Sequence, residues 1–279
     1  MFIDGIEAIA AKTPRFRYTR FMLKLPSRTA SGPFLALLLG LVTAPPVAAN
    51  SSKVNLSFND RNLTLPDGVI RIDGGSRWPY YDAQFKHIEV NAADFDFLNP
   101  GITFSPSDEL DLGVVTPIRL SPDFDLEDPR VHLLYQLQSD SELELAIFAQ
   151  LRLGFFDEWA ITGGVPLYWH FKPNMRLDAG GFVRFAFGDA SRVDLTFPVQ
   201  LSIQLSKRLY AGPETGLNIN SLFDDGSNVS LPLGGFIGYT IGSSGAPLGD
   251  LYARVRLLDL EFGFDGVELM LGTELFFDM

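Results

Sequence analysis

The sequence predicts an all-β protein, a closed antiparallel up-and-down transmembrane β-barrel of twelve strands, with ten strands as the alternative. Three observations predict this fold class. Apolar residues alternate with period two over long segments, a short tetrad returns at nearly regular intervals, and short turns alternate with longer connections along the chain. Together these features are typical of β-hairpins that follow one another around a barrel.

The tetrad begins with a leucine and marks the start of every second predicted strand. Its copies are 33, 34, 32 and 42 residues apart and begin at Leu110, Leu143, Leu177, Leu209 and Leu251. A period in the thirties fits either a helical solenoid or a repeated hairpin. Between the tetrads, as in 193–205, apolar residues occupy alternate positions rather than the spacing of a helix. The repeat is therefore predicted to be a β-hairpin.

The alternation predicts a continuous series of strands from residue 96 to residue 277. They cover 96–104, 110–120, 130–138, 142–153, 159–171, 175–187, 192–205, 208–219, 229–242, 251–262 and 266–277. Bacterial barrels use even numbers of strands, so one more is expected upstream, in 87–94 or 68–73. Segment 50–85 is less regular. It is compatible with a first barrel strand and its loop, with a plug, or with a strap on the periplasmic side.

Strand length and polar faces favour a barrel in lipid over a soluble barrel. The alternating runs contain about 11–13 residues, close to the roughly 9–11 tilted residues that cross the hydrocarbon layer. Strands of soluble proteins usually contain about 5–6 residues. Only four lysines remain after residue 49, which is few for a surface in water. The apolar face is therefore expected to contact lipid, and the polar face to line an enclosed lumen.

The polar face carries charges of both signs, which we expect to pair across the lumen and to set its selectivity. The predicted lumen residues are Glu144, Arg152, Arg176, Asp178, Arg184, Asp194 and Glu214. The apolar face of 159–171 carries Trp159 near one end and Trp169 and Phe171 near the other. Ten residues of a tilted strand span about 25 Å along a barrel axis, so these side chains are predicted to lie in the two interfacial aromatic girdles.

The N-terminus has the features of an export signal. A basic stretch at 12–28 precedes the apolar run 33–44, and small residues follow at Val47 and Ala49. This order predicts a secretory signal peptide over residues 1–49 with cleavage after Ala49, and Met22 as a natural alternative start. The remaining chain is divided into an N-terminal strand or strap segment, 50–85, and a barrel, 86–279.

Few residues point to catalysis or to a cofactor, and we expect neither a catalytic site nor a cofactor. The chain has no cysteine, and its three histidines lack metal-ligand spacing. Ser139, Asp140 and Ser141 at a turn beside the strand of His132 form a weak hydrolase-like constellation, with a simple polar turn as the favoured alternative. An acidic stretch is a weak candidate for Ca²⁺, with a solvated loop favoured over a metal site. Its acidic residues are Asp123, Asp125, Glu127 and Asp128.

With its predicted signal peptide, hairpin repeat and aromatic-rich last strand, the chain resembles bacterial outer-membrane β-barrel proteins. The resemblance covers about residues 60–279 and includes the "LTLPDGVIRID" segment, 63–73. It implies a monomer in contact with outer-membrane lipid and lipopolysaccharide, with a last strand that the barrel-assembly machinery reads. The ending "LFFDM" departs from the usual terminal aromatic residue.

The resemblance and the predicted charged lumen together lead us to expect a narrow channel or passive transporter for small solutes. A structural or adhesive barrel with acidic external loops is the alternative, and a lipid-modifying enzyme is a weaker one. The net charge of −12 argues against nucleic acid as a partner, because binding nucleic acid requires a basic surface.

Overall fold

The computed structural model describes residues 51–81, 97–98, 100–119, 125–140, 142–155, 158–188, 191–222, 228–243, 246–257 and 266–279. The expected signal peptide, 1–49, and the candidate strand 87–94 lie outside these ranges. In the described part of the chain, helix is confined to one short 3₁₀ turn, Phe58–Asp60. No helix there is long and apolar enough to span a membrane.

Twelve long strands form the fold. They are β1 (Val69–Tyr81), β2 (Gly101–Ser107), β3 (Leu110–Val115), β4 (Arg130–Ser139), β5 (Leu143–Arg152), β6 (Trp159–Lys172), β7 (Met175–Phe187), β8 (Arg192–Gln204), β9 (Leu209–Asn220), β10 (Leu233–Ser243), β11 (Ala246–Leu257) and β12 (Gly266–Asp278). Each strand pairs antiparallel with the next along the chain.

The ring is closed by its first and last strands. β1 pairs antiparallel with β12 over its whole length, from Val69 opposite Asp278 to Tyr81 opposite Gly266. Closure leaves no free sheet edge, which is the condition for a sheet to exist in lipid. The predicted up-and-down barrel of twelve strands is therefore confirmed, rather than the alternative of ten.

Four short strands extend the long ones at one end of the barrel. They are Phe97–Leu98, Ile118–Arg119, Asp125–Leu126 and Asn228–Ser230. A proline lies in each interruption between a short strand and the long strand that it extends: Pro100, Pro117, Pro129 and Pro232. Proline has no amide hydrogen for the ladder, and this explains why the pairing stops and resumes at these positions.

The outer surface of the ring is apolar, and the inner surface is polar. In β5 the side chains of Ile147 and Leu151, at odd positions, are exposed, whereas those of Glu144 and Ala146, at even positions, are buried. The same alternation gives exposed Ile161, Val165, Ile237, Leu251 and Val255 on other strands. Buried charged residues include Arg176, Asp194, Glu214, Asp250 and Glu268, which all point into the ring. This arrangement is that of a transmembrane barrel.

Several boundaries differ from the sequence-based expectation, among them the start of the barrel and the start of β11. The barrel begins at Val69, inside the segment 50–85, and not at residue 86. The sequence predicts a long turn over 243–249 before a strand at 251–262, but β10 continues to Ser243 and β11 already starts at Ala246. A bulge at Ile241–Gly242, where Gly242 has φ of 134°, lets the chain turn tightly. The glycines and proline of 243–249 belong to this tight turn and to the start of β11, although in sequence they resemble a long loop.

Candidate functional site

Residues 51–68, which we call the plug, lie inside the ring at the end where the short turns are. The backbone amide of Leu63 donates a hydrogen bond of 2.6 Å to Glu144 of β5. The amide of Leu65 donates to both carboxylate oxygens of Asp111 of β3, at 3.2 Å. These acceptors point inward from the wall, so the plug crosses the lumen and uses the polar face of the barrel as its hydrogen-bonding partner.

Arg61 joins the plug to the opposite wall. Its guanidinium makes an ion pair with Asp250 of β11, and it donates at 3.1 Å to the hydroxyl of Thr240 of β10. The Thr240 hydroxyl in turn donates to Asp250 at 2.7 Å. The side chain of Asp250 is 1% exposed, so water contributes little to compensating its charge, and Arg61 is its counter-ion. Removing Arg61 would leave a buried carboxylate without its counter-ion.

Arg176 of β7 is the second anchor of the plug. Its Nε and Nη2 atoms donate to Asp178 at 2.6 and 2.9 Å, and its Nη1 atom donates to the plug carbonyls of Phe58 at 2.9 Å and Arg61 at 3.2 Å. The guanidinium also lies 4.5 Å from the centre of the Phe58 ring and 4.0 Å from that of Tyr168. One buried cation therefore ties a wall carboxylate to two backbone carbonyls of the plug.

Phe58 is held from its other side by Tyr210 of β9. The two rings are stacked with centres 4.0 Å apart and planes 9° apart. A small apolar cluster fixes the plug further at the seam of the ring, and it contains Val54, Leu65, Val69 and Phe276. The plug is thus held by apolar packing as well as by hydrogen bonds.

The end of the chain contacts the start of the plug. The carboxylate of Asp278 accepts hydrogen bonds from the hydroxyl of Ser51 and from the amide of Ser52, the latter at 3.1 Å. The amide of Met279 donates to the carbonyl of Gly68 at 2.9 Å. The unusual ending noted in the sequence therefore has a structural role, because Asp278 holds the plug at the closing seam.

A cavity of about 260 Å³ remains between the plug and the wall. Its lining includes Phe58 and Arg61 from the plug, together with Arg71, Tyr168, Gln200 and Arg254 from the wall. The volume lies just below the roughly 300–1,000 Å³ of drug-sized ligand pockets, and the lining is rich in hydrogen-bond donors. The plug narrows the lumen at this level while leaving space for a small polar solute.

Further charged pairs line the lumen on β9, β11 and β12. Glu214 of β9 accepts from Arg256 at 2.6 Å and lies 3.0 Å from Nε of Arg254, both on β11. Glu268 of β12 lies 3.9 Å from Arg256. The charges on β9, β11 and β12 alternate in sign and form a ladder, so this part of the lumen wall has no large excess of either sign.

A second charged cluster lies where the strands lead into the longer connections. Arg152, Arg184 and Arg192 surround Glu158, which directly precedes β6. Asp194 lies 3.1 Å from Arg184, and Asp128 lies 3.3 Å from Arg152. We call these six residues the mouth cluster.

All seven lumen residues predicted from sequence lie on the inner face of the ring. The structure brings Arg152, Arg184 and Asp194 together in the mouth cluster and pairs Arg176 with Asp178. Glu144 instead receives the plug amide of Leu63, and Glu214 belongs to the ladder beside β11. Their expected role in selectivity stays a prediction.

The aromatic side chains predicted for the girdles lie on the outer face of β6. Trp159 and Trp169 are 45% and 47% exposed and lie near opposite ends of the strand. Phe171 packs beside Trp169 with ring centres 5.5 Å apart. Their placement at the two membrane interfaces stays a prediction.

The acidic stretch that was the candidate Ca²⁺ site is not exposed over its whole length. Asp128 is fully buried, where it pairs with Arg152 and accepts the amide of Glu158 at 3.2 Å. Glu127 lies 4.0 Å from Arg130, and Asp123 is outside the described residues, as is the side chain of Asp125. Within the described ranges, no grouping of three histidine or acidic side chains suits a metal ion.

The hydrolase-like constellation is not assembled. His132 and Ser139 lie in the same strand, seven residues apart, which is about 23 Å in an extended chain. Asp140 caps the following turn by accepting the amides of Leu143 at 2.7 Å and Glu142 at 2.9 Å. Together with the side chain of Gln138, these donors lower the pKa of Asp140. Ser141 is outside the described residues.

Sequence reasoning missed three charged residues that organise the lumen. Arg61 lies in the irregular segment 50–85, Asp250 lies between the expected turn and the expected strand that follows it, and Glu158 lies in a predicted connection. The signal that could have found Asp250 is its even position, which matches the inward row of β11 once the strand is extended to Ala246. The sequence contains no comparable signal for Arg61 or Glu158.

Solved structures with the same fold include two porins. The KdgM porin superposes with a TM-score of 0.51 and the NanC porin with 0.50; each shares 10% identity, and each match covers 74% of this chain and 98% of the porin. A KdgM porin in complex with disordered oligogalacturonate matches with the same coverage and a TM-score of 0.50. No protein-family model and no curated protein sequence matches the chain. At this identity the likeness concerns the fold.

Proposed function

We propose that this protein is a narrow outer-membrane channel that passes small hydrophilic or amphipathic solutes passively. The observation that carries the proposal is the closed ring with a charged lumen that keeps a cavity of about 260 Å³ beside the plug. A barrel built only as an anchor has no need of a polar cavity at its centre. Porins of the same fold support the proposal.

The charge pattern indicates what such a channel selects. The inward cations are paired with inward carboxylates, as Arg176 is with Asp178 and Arg256 with Glu214. Paired charges of this kind offer both donors and acceptors to a polar solute, so these pairs by themselves give only a modest preference between simple ions. The plug sets the narrowest level, because it crosses the lumen between β5 and β11.

Planar-bilayer recording tests the proposal. The full mature chain is expected to give a small conductance, and Arg61→Gln and Phe58→Ala are expected to raise it by loosening the plug. Lys172→Gln is a matched control at the same end of the barrel, since Lys172 is exposed at the end of β6. A protein without conductance, in all three variants as well as in the wild type, would refute the channel.

One observation favours the alternative of a structural or adhesive surface barrel. The plug is fixed by polar bonds to many strands and by the cluster around Phe276, which is how a permanently closed barrel would also be built. The same recordings decide between the two functions, because a closed anchor gives no conductance even when Arg61 and Phe58 are changed.

We further propose that the barrel is a monomer in the outer membrane. Its exposed leucines, isoleucines and valines would contact lipid and lipopolysaccharide, and β12 would be the strand that the assembly machinery reads. Fractionation of the cell envelope and heat-modifiable migration on gels test the location and the folded state. A protein found in the soluble fraction would contradict this proposal.

A further inference from the structure

Three arginines of the mouth cluster converge on one carboxylate oxygen. Oε1 of Glu158 accepts from Arg152 Nη1 at 3.3 Å and from Arg192 Nη2 at 3.0 Å, and it also contacts Nη2 of Arg184. The arginines come from three different strands, β5, β7 and β8, whereas Glu158 comes from the connection that leads into β6. The strands therefore hold the cations in place independently of the residue that neutralises them.

The other two carboxylates of the cluster have structural roles. Asp128 accepts the backbone amide of Glu158 at 3.2 Å, and Asp194 accepts the amide of Ser221 at 3.0 Å. Ser221 has a positive φ of 54°, so Asp194 stabilises a strained turn that a solute could not support in its place. The contacts described for the Glu158 carboxylate are all to guanidinium groups.

The three arginines are accessible to different degrees. The side chain of Arg192 is 41% exposed and that of Arg184 is 28% exposed, whereas Glu158 is 12% exposed. A solute that enters from the end with the long connections therefore meets Arg192 and Arg184 before it reaches the plug. Guanidinium groups bind carboxylates with two parallel hydrogen bonds, and this geometry favours them over neutral polar groups.

We propose that Arg152, Arg184 and Arg192 form a binding site for the carboxylate of a small anionic solute, and that Glu158 occupies this site as an internal ligand. The inference rests on the proposed channel, for which it names a preferred class of solute. Exchange of one carboxylate for another keeps a carboxylate among the three arginines, while Asp128 stays paired with Arg152 and Asp194 with Arg184. The Glu158 carboxylate would then occupy the site whenever no solute is bound. By competing with the solute for the arginines, it would keep the solute from binding too tightly to leave the channel.

Calorimetric titration of the detergent-solubilised full chain with citrate tests the site without any need for conductance. Glu158→Gln removes the internal competitor, so the dissociation constant for citrate is expected to fall about tenfold, because the fraction of free sites rises. Glu109→Gln is the control, because it changes the charge equally and Glu109 is exposed at the opposite end of the barrel. The citrate affinity of this variant is expected to stay within twofold of that of the wild type. Glucose, a neutral probe, is expected to show no change in either variant.

Two further variants make the outcome specific. Adding Arg192→Gln to Glu158→Gln should abolish the gain in citrate affinity, and Glu158→Asp, which keeps a shorter carboxylate, should give an intermediate gain. An affinity within twofold of wild type in folded Glu158→Gln, or an equal gain in Glu109→Gln, overturns the proposal. If Glu158→Gln does not fold, an unchanged affinity in Glu158→Asp overturns it equally. A barrel that binds citrate as expected but shows no conductance would refute only the channel.

Discussion

Replacing Arg176 by methionine should release the plug without dissolving the barrel. Arg176 and Asp178 lie on the same wall strand, so the loss of their ion pair affects the docked and undocked states of the plug alike. What changes between the two states is the pair of bonds to the carbonyls of Phe58 and Arg61 and the contact with the Phe58 ring. At the lower end of the usual ranges, charge-assisted hydrogen bonds contribute about 1.5 kcal/mol each and a cation–π contact about 0.5 kcal/mol.

These contributions are not fully additive, so we expect the plug equilibrium to shift by about 3 kcal/mol. Since about 1.4 kcal/mol corresponds to a factor of ten, the undocked population should rise about 100-fold. The chain has no cysteine, which allows a clean reporter. In Val54→Cys the thiol replaces a buried side chain of the apolar cluster, and its rate of reaction with a maleimide measures the undocked population.

The labelling rate of Val54→Cys should therefore rise about 100-fold when Arg176→Met is added. Arg184→Met is the matched control, because Arg184 also pairs with carboxylates but lies in the mouth cluster; there the rate should change less than threefold. Both proteins must first show the gel migration of a folded barrel. An unchanged labelling rate in the folded Arg176→Met protein would falsify the assignment of Arg176 as an anchor.

Two other predictions concern the wall. Alanine at Gly238 would place a Cβ atom 2.1 Å from the ring of Tyr210, so Gly238→Ala should lower the free energy of unfolding by about 1–3 kcal/mol in urea titrations. Gly163 has open space around it, so Gly163→Ala should be nearly neutral. Equal effects of the two substitutions would contradict the packing. With the other tryptophans changed to phenylalanine, the fluorescence of Trp159 or Trp169 should be quenched more by lipids brominated near the headgroup than at the chain ends, and the reverse order would exclude the girdle.

The wall of the barrel could be predicted because its signal is local. Residues two apart in a strand share a face, so the alternation in 143–153 already separates the lipid side from the lumen side. The same rule correctly predicts that Arg176 and Asp194 point into the ring. It fails at Pro117, where a strand predicted over 110–120 is interrupted, because the alternation continues through a residue that cannot donate to the ladder. It also fails at the tight bulge before Ala246, where the glycine- and proline-rich sequence resembles a loop.

The plug could not be predicted because its partners are distant in sequence. Arg61 and Asp250 are 189 residues apart, and Leu63 and Glu144 are 81 apart. A segment that is held by its backbone amides and by single anchors needs no periodic pattern, and residues 51–68 have none. The sequence predicts which charged residues line the lumen, but it does not predict which of them pair. The pairing depends on the stagger between strands and on which inward side chains bond to the plug.

The contacts of the plug also determine when it docks. Its acceptors lie on strands as far apart in the chain as β3, with Asp111, and β11, with Asp250, and its first residues bond to Asp278 at the end of β12. These groups come together only when β1 and β12 have paired, since that pairing closes the ring. A plug that docked earlier would have few partners to offset its loss of conformational entropy. We therefore infer that the ring closes first and that the plug then docks into a completed lumen; the same reasoning leads us to expect that changes at Arg176 or Arg61 loosen the plug while the barrel remains folded.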